Sequence, residues 1–113
     1  MRRCGLGDDR GSVVAEFAVA LPAIALVLLL GAGTLGACSR QVRLQDAAAD
    51  AARLVARGEP LERATAAVTA AVPGAGAAVD HRGDLVCVTA SAPAIGAVSI
   101  TLSATSCALD GGL

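Results

Sequence analysis

Residues 17 to 38 read FAVALPAIALVLLLGAGTLGAC, and Cys38 carries the only ionisable side chain among them. As an α-helix, this run of 22 residues spans the hydrocarbon layer of a membrane, which is roughly 30 Å thick. A buried helix of a soluble protein is the alternative, but the rest of the chain is too short to surround one. A cleaved secretory signal fits less well, because its apolar region is shorter, about 7 to 15 residues. The stretch therefore predicts a transmembrane helix.

Composition narrows the classes of protein that this chain can belong to. The 113 residues include one aromatic residue, Phe17, and no Trp or Tyr, so the bulky side chains that usually dominate a globular core are missing. Nine Arg and no Lys stand against ten acidic residues, which gives no basic footprint for nucleic acid. Neither a C-x-x-C motif nor a His/Cys cluster is present. We expect no enzyme activity, no cofactor, no metal site and no nucleic-acid partner.

The helix is predicted to continue beyond the apolar run. Charged residues recur there at steps of three or four, which places them on one helical face: Arg40, Arg43, Asp46, Asp50, Arg53 and Arg57. Small apolar residues form a stripe on the opposite side: Leu44, Ala48, Ala51, Ala52 and Val55. Gly58 and Pro60 end the pattern. We predict one helix over residues 12–57, with a kink at Pro22, where proline removes a backbone hydrogen bond.

The second half of the chain predicts a short helix and a small sheet. Residues 60–72 have the spacing of a helix, closed by Pro73 and Gly74. Residues 97–105, AVSITLSAT, alternate apolar and polar side chains as a half-buried strand does. Residues 85–90 predict a second strand, and residues 77–80 a weaker third, with residues 81–84 as the turn between these two. The fold class is α+β, with a two- or three-stranded sheet packed on the apolar stripe of the long helix.

Two cysteines lie in the strand regions. A bond between Cys87 and Cys107 would join the strands and stabilise a small domain by roughly 3 kcal/mol in an oxidising compartment. Strict alternation places Cys107 on the polar face of its strand, so this pairing is predicted to need a bend near Ser106. Two unpaired thiols are the alternative.

The segment just before the apolar helix reads Gly11-Ser12-Val13-Val14-Ala15-Glu16-Phe17 and resembles the processing site of class III type IV prepilins. In that family a prepilin peptidase cuts after a Gly, the fifth residue of the mature chain is typically Glu, and an aromatic residue often follows. Gly11 matches the cleavage position, Ser12 the new N-terminus, Glu16 the fifth residue and Phe17 the aromatic. A carboxylate at the head of a lipid-embedded helix is costly unless it meets a cation. The α-amine of Ser12, created by cleavage, would be that cation on a neighbouring subunit.

Past the helix, RQVRLQDAAADAARLVARGE is similar to the Ala- and Arg-rich stretch of TadE-family pseudopilins of the tight-adherence, or Flp-type, pilus system. The resemblance implies a minor pilin or pseudopilin in the cytoplasmic membrane, with its N-terminus inside and its C-terminus outside. The implied partners are a prepilin peptidase, other pilins, inner-membrane assembly proteins and membrane lipid. The implied segments are a leader (1–11), a transmembrane helix (12–38), an amphipathic continuation (39–57) and a small αβ domain (58–113).

Two alternatives remain open. Leu35-Gly36-Ala37-Cys38 approximates a lipobox, so a lipoprotein modified on Cys38 is one of them, although the long apolar run and Glu16 disagree with it. The other is a single-pass membrane anchor or accessory protein that binds a different partner through its Arg/Asp face.

Overall fold

The computed structural model describes residues 6–94 and 99–111. The elements in chain order are α1 (Leu6–Ala56), α2 (Leu61–Ala71), β1 (Gly76–Arg82), β2 (Leu85–Pro93) and β3 (Thr101–Leu109). The strands form one antiparallel sheet in the order β1-β2-β3. The predicted α+β class is confirmed, and the sheet has three strands rather than two.

The chain divides into two compact units, Met1–Thr34 and Leu35–Leu113. The described part of the first unit is helical throughout. The second, which we call the C-terminal unit, holds the remainder of α1, α2 and the sheet.

Helix α1 already includes Leu6, the first described residue, so in the intact chain the helix extends further toward the N-terminus than the predicted start at residue 12. Residues 6 to 11 contain no proline, and nothing in the intact chain stops the helix from extending backwards through Gly11. The helix also continues through Pro22 without interruption. It ends at Ala56, where Gly58 takes the left-handed conformation (φ +89°) that closes many helices.

Helix α2 agrees with its prediction to within one residue at each end. Pro60 is its N-cap residue and Val72 its C-cap residue. Two side chains of the helix are buried, Ala64 and Val68, and together with Val72 they recur every four residues on the face that joins the core.

Strand β1 is longer than predicted, and the turn after it is shorter. Residues 81 and 82 belong to β1, and only Gly83 and Asp84 form the turn. Gly83 has a φ of +61°, whereas Asp84 has a negative φ, because in the described chain only glycines have a positive φ. This sign pattern is that of a two-residue type II′ hairpin turn, whose twist suits adjacent antiparallel strands.

Strand β3 lies further along the chain than predicted. It starts at Thr101 and ends at Leu109, whereas the pattern indicated residues 97–105, of which 97 and 98 lie outside the described residues. The end is later because Ala108 and Leu109 pair with Val86 and Leu85 at the hairpin end of β2.

The core of the C-terminal unit forms on the predicted apolar stripe of α1. Leu44, Ala48, Ala51 and Ala52 have no exposed surface, and Val55 is partly buried. They pack against one face of the sheet and against α2, represented by Val88, Ala90, Ala104 and Val68. Around Leu44 this core consists of alanine and valine side chains, and it holds no aromatic residue.

Candidate functional site

The residues of the prepilin-like motif lie consecutively on helix α1. Gly11 is helical, and apart from its chain neighbours and the surrounding helix backbone, a Cβ added there would meet no atom within 4 Å. Ser12 and Glu16 are one helical turn apart and therefore share a face, whereas Phe17 points away from that face. All four residues are exposed on the isolated chain.

A shallow groove runs along the helix beside Glu16. Its walls are Ser12, Ala15, Glu16, Val19, Ala20 and Ala23. Because these residues are mostly small, the Glu16 carboxylate rises from a narrow part of the helix surface. A neighbouring helix can approach closely at such a surface.

The apolar part of α1 has no protein cover within the described residues. Large side chains are exposed all along it, including Val19 at 74%, Leu29 at 70% and Leu35 at 73%. The helix contains a stretch long and apolar enough to cross a membrane, and none of that stretch is buried. Exposed apolar surface of this extent requires lipid or another protein to cover it.

Arg40 belongs to the predicted charged face, but its side chain turns toward the ends of α2 and β2. Its guanidinium donates to the carbonyl oxygens of Pro73 (2.8 Å) and Pro93 (2.9 Å). These carbonyls lie just after α2 and at the end of β2. A single arginine thus ties two chain turns to α1 with charge-assisted hydrogen bonds.

Two glutamines of α1, which sequence analysis missed, bind the free edge of the sheet. Gln41 Nε2 donates to the Ser103 carbonyl (2.8 Å), and Gln45 Nε2 donates to the Thr105 carbonyl (3.3 Å). The two glutamines are four residues apart, which is about 6 Å along a helix, and the two carbonyls are two residues apart, which is about 6.6 Å along a strand. The two spacings therefore match. The amides satisfy carbonyls that β2 does not reach. The four-residue spacing of the two glutamines, next to the apolar stripe, is the sequence signal from which this contact could have been predicted.

We expect Gln41→Met to lower the free energy of unfolding of the C-terminal unit by about 1 kcal/mol, the usual contribution of one hydrogen bond. Methionine keeps the length of the side chain and removes only its donor. Gln45→Met is the matched control, with a smaller loss because its bond is longer. Urea-dependent proteolysis of the full chain in detergent measures both, and equal stability of Gln41→Met and parent would contradict this role of Gln41.

The two strand cysteines form a disulfide, and no bend is needed for it. Cys87 pairs directly with Cys107 in the β2–β3 register, at a Cα–Cα distance of 4.0 Å. The predicted bend near Ser106 is wrong because Cys87 also lies on the face of the sheet opposite the α1 contact. Both cysteines therefore meet on that outer face, beside the hydrogen-bonded hydroxyls of Thr89 and Thr105 (2.9 Å).

Cys38 is a free, exposed thiol on α1. In the described part of the chain, no group of three or more His, Cys, Asp or Glu side chains is arranged to hold a metal ion. The prepilin-like motif, residues 11–17, is exposed and helical, so it is suited to recognition by another protein and to packing against another helix.

Comparison with known proteins gives no match: no family model, curated protein or solved structure resembles the chain significantly.

Proposed function

We propose that this protein is a pilin-like subunit, a minor pilin or pseudopilin of a tight-adherence type IV pilus or a related secretion machine. Its role is structural rather than catalytic. A prepilin peptidase removes residues 1–11, and the mature chain starts at Ser12.

One observation carries the proposal. A Gly-Ser pair, followed four residues later by Glu16, lies at the head of a long apolar helix whose next acidic residue is Asp46. A plain membrane anchor has no need of a carboxylate at that position, where charge is costly. A subunit that gains an α-amine by cleavage supplies a partner for it.

The C-terminal unit supports an extracytoplasmic location for the second half of the chain. Disulfides persist in oxidising compartments and are rare in the cytosol. The Cys87–Cys107 bond therefore fits a unit held outside the cytoplasmic membrane, with the leader inside. The proposed partners are a prepilin peptidase, other pilins and inner-membrane assembly proteins.

We expect Gly11→Val to block processing without affecting insertion or folding. The space around Gly11 is open, so the larger side chain fits the helix, whereas a peptidase that requires glycine at the cut site will reject it. The measurement is loss of an N-terminal epitope tag in membranes with and without a co-expressed prepilin peptidase. The parent should lose the tag only with the peptidase, and Gly11→Val should keep it.

One control variant and two contrary outcomes complete this test. Gly7→Val, in the leader but away from the cut, should be processed like the parent. Retention of the tag by the parent in the presence of an active peptidase would overturn the proposal. Loss of the tag with a new terminus at Cys38 would favour the lipoprotein alternative.

A further inference from the structure

An exposed strip of charge runs along α1 on the side away from the core of the C-terminal unit. Its members are Arg43, Asp46, Asp50, Arg53 and Arg57, and we call them the charged strip. They are spaced alternately three and four residues apart, so they repeat with a seven-residue period and form one line along the helix.

Most of the charged strip has no ion-pair partner in the described part of the chain. Arg53 and Asp50 form a pair at 3.3 Å, with both side chains 68% exposed. Arg43, Asp46 and Arg57 form none there. The strip thus presents both signs of charge to its surroundings.

Copies that cross one membrane in the same direction lie parallel, and a seven-residue period allows only shifts by whole periods if the strips are to face each other. With no shift, each residue faces the same residue of the other copy, so all five facing pairs are of like charge. With a shift of fourteen residues, Arg43 faces Arg57. With a shift of seven, every facing pair is of opposite charge: Arg43 with Asp50, Asp46 with Arg53, and Asp50 with Arg57.

We propose that the charged strip is a self-association surface for a second, parallel copy of this chain, displaced by seven residues, or about 10.5 Å, along the helix axis. This inference rests on the proposed function, because only an assembling subunit has copies of itself beside it. Asp50 takes part in two of the three facing pairs: Asp50 of one copy faces Arg43 of the other, and Asp50 of that other copy faces Arg57 of the first.

Other occupants fit the charged strip less well. Anionic lipid headgroups or nucleic acid would be attracted by the three arginines but repelled by the two carboxylates between them, Asp46 and Asp50. A single-sign protein partner meets the same mismatch. Opposite charges face each other when a second copy of the chain is displaced by seven residues. A second copy is therefore the partner that we assign to the charged strip.

The test uses full-length chains in membranes, with Cys4 and Cys38 replaced by Ser. One copy carries Arg43→Cys and one epitope tag, and a co-expressed copy carries Asp50→Cys and a second tag. Mild oxidation should link the differently tagged copies at least about fivefold more than like-tagged copies. The matched control, Arg43→Cys with Arg57→Cys, should not link. Predominant 43–43 and 50–50 linkage, or no linkage, would overturn the proposal.

A charge exchange on the same reporter pair tests the electrostatic cause. Asp46→Arg and Arg53→Asp should each lower the 43–50 linkage, because each puts like charges opposite one another. The double exchange should restore it, since the facing pair is again opposite in sign. Equal linkage in all four backgrounds, or failure of the double exchange to recover, would overturn the proposal.

The same membranes separate this inference from the proposed function. Intact mass reports whether residues 1–11 have been removed. Complete processing without 43–50 linkage would refute the shifted contact and leave the pilin-like function standing. A retained leader in the presence of an active peptidase would refute the function itself.

Discussion

Replacing Cys87 and Cys107 together by Ser is expected to lower the free energy of unfolding of the C-terminal unit by about 3 kcal/mol. The bond closes a loop with a sequence separation of 20. Small domains are stable by only about 5 to 15 kcal/mol, so this loss is a large fraction of the total. The core offers little in compensation, because Leu44 is its only buried leucine in the described chain and most of its other members are alanine or valine.

Urea-dependent proteolysis of the full chain in detergent measures this loss. Reducing the parent protein with a phosphine should reproduce it without any substitution. Cys38→Ser is the control and should leave stability unchanged, because its thiol is exposed and unpaired. A loss below about 1 kcal/mol in both the double variant and the reduced parent would contradict the stabilising role of the bond.

Glu16→Ala is expected to abolish most assembly while leaving insertion intact. Removing a charge from an apolar helix lowers the cost of membrane insertion, so the variant should reach the membrane at least as well as the parent. Its neighbour's α-amine, in contrast, loses the opposite charge that compensates it in an apolar environment. Cross-linking between neighbouring subunits and the yield of surface pili measure the outcome.

Thr34→Ala is the matched control for this prediction. Thr34 is another polar residue of the apolar helix, but its hydroxyl donates to the Leu30 carbonyl of its own helix (2.7 Å). Its removal therefore leaves no neighbour without a partner, and assembly should persist. Normal assembly of Glu16→Ala, with processing shown to be complete, would return the chain to the class of plain membrane anchors.

The helices and the core were predictable because their signals are periodic and local. Charge is absent over residues 17–38, and a narrow apolar stripe then recurs at helical spacing, so the sequence indicates both the exposed helix and the side that packs. Leu44 and Ala48 are buried as that stripe predicts. Helix α2 is bounded by residues that cannot continue it, which explains the accuracy of its limits.

The sheet was less predictable because strand register is a long-range property. Alternation in residues 97–105 gives the correct inward face for Leu102 and Ala104, but it does not show where pairing with β2 stops. The outward position of Cys87 depends on that register, and so does the absence of a bend at Ser106. The bonds from Arg40, Gln41 and Gln45 depend on which carbonyls the completed sheet leaves free.

The intact mass of the protein purified from the membranes of its own cells tests the central claim most directly. A chain that starts at Ser12 and carries the Cys87–Cys107 bond is the predicted result. A mass that includes residues 1–11, measured in cells with an active prepilin peptidase, would contradict the account, and so would a lipid-modified chain that starts at Cys38.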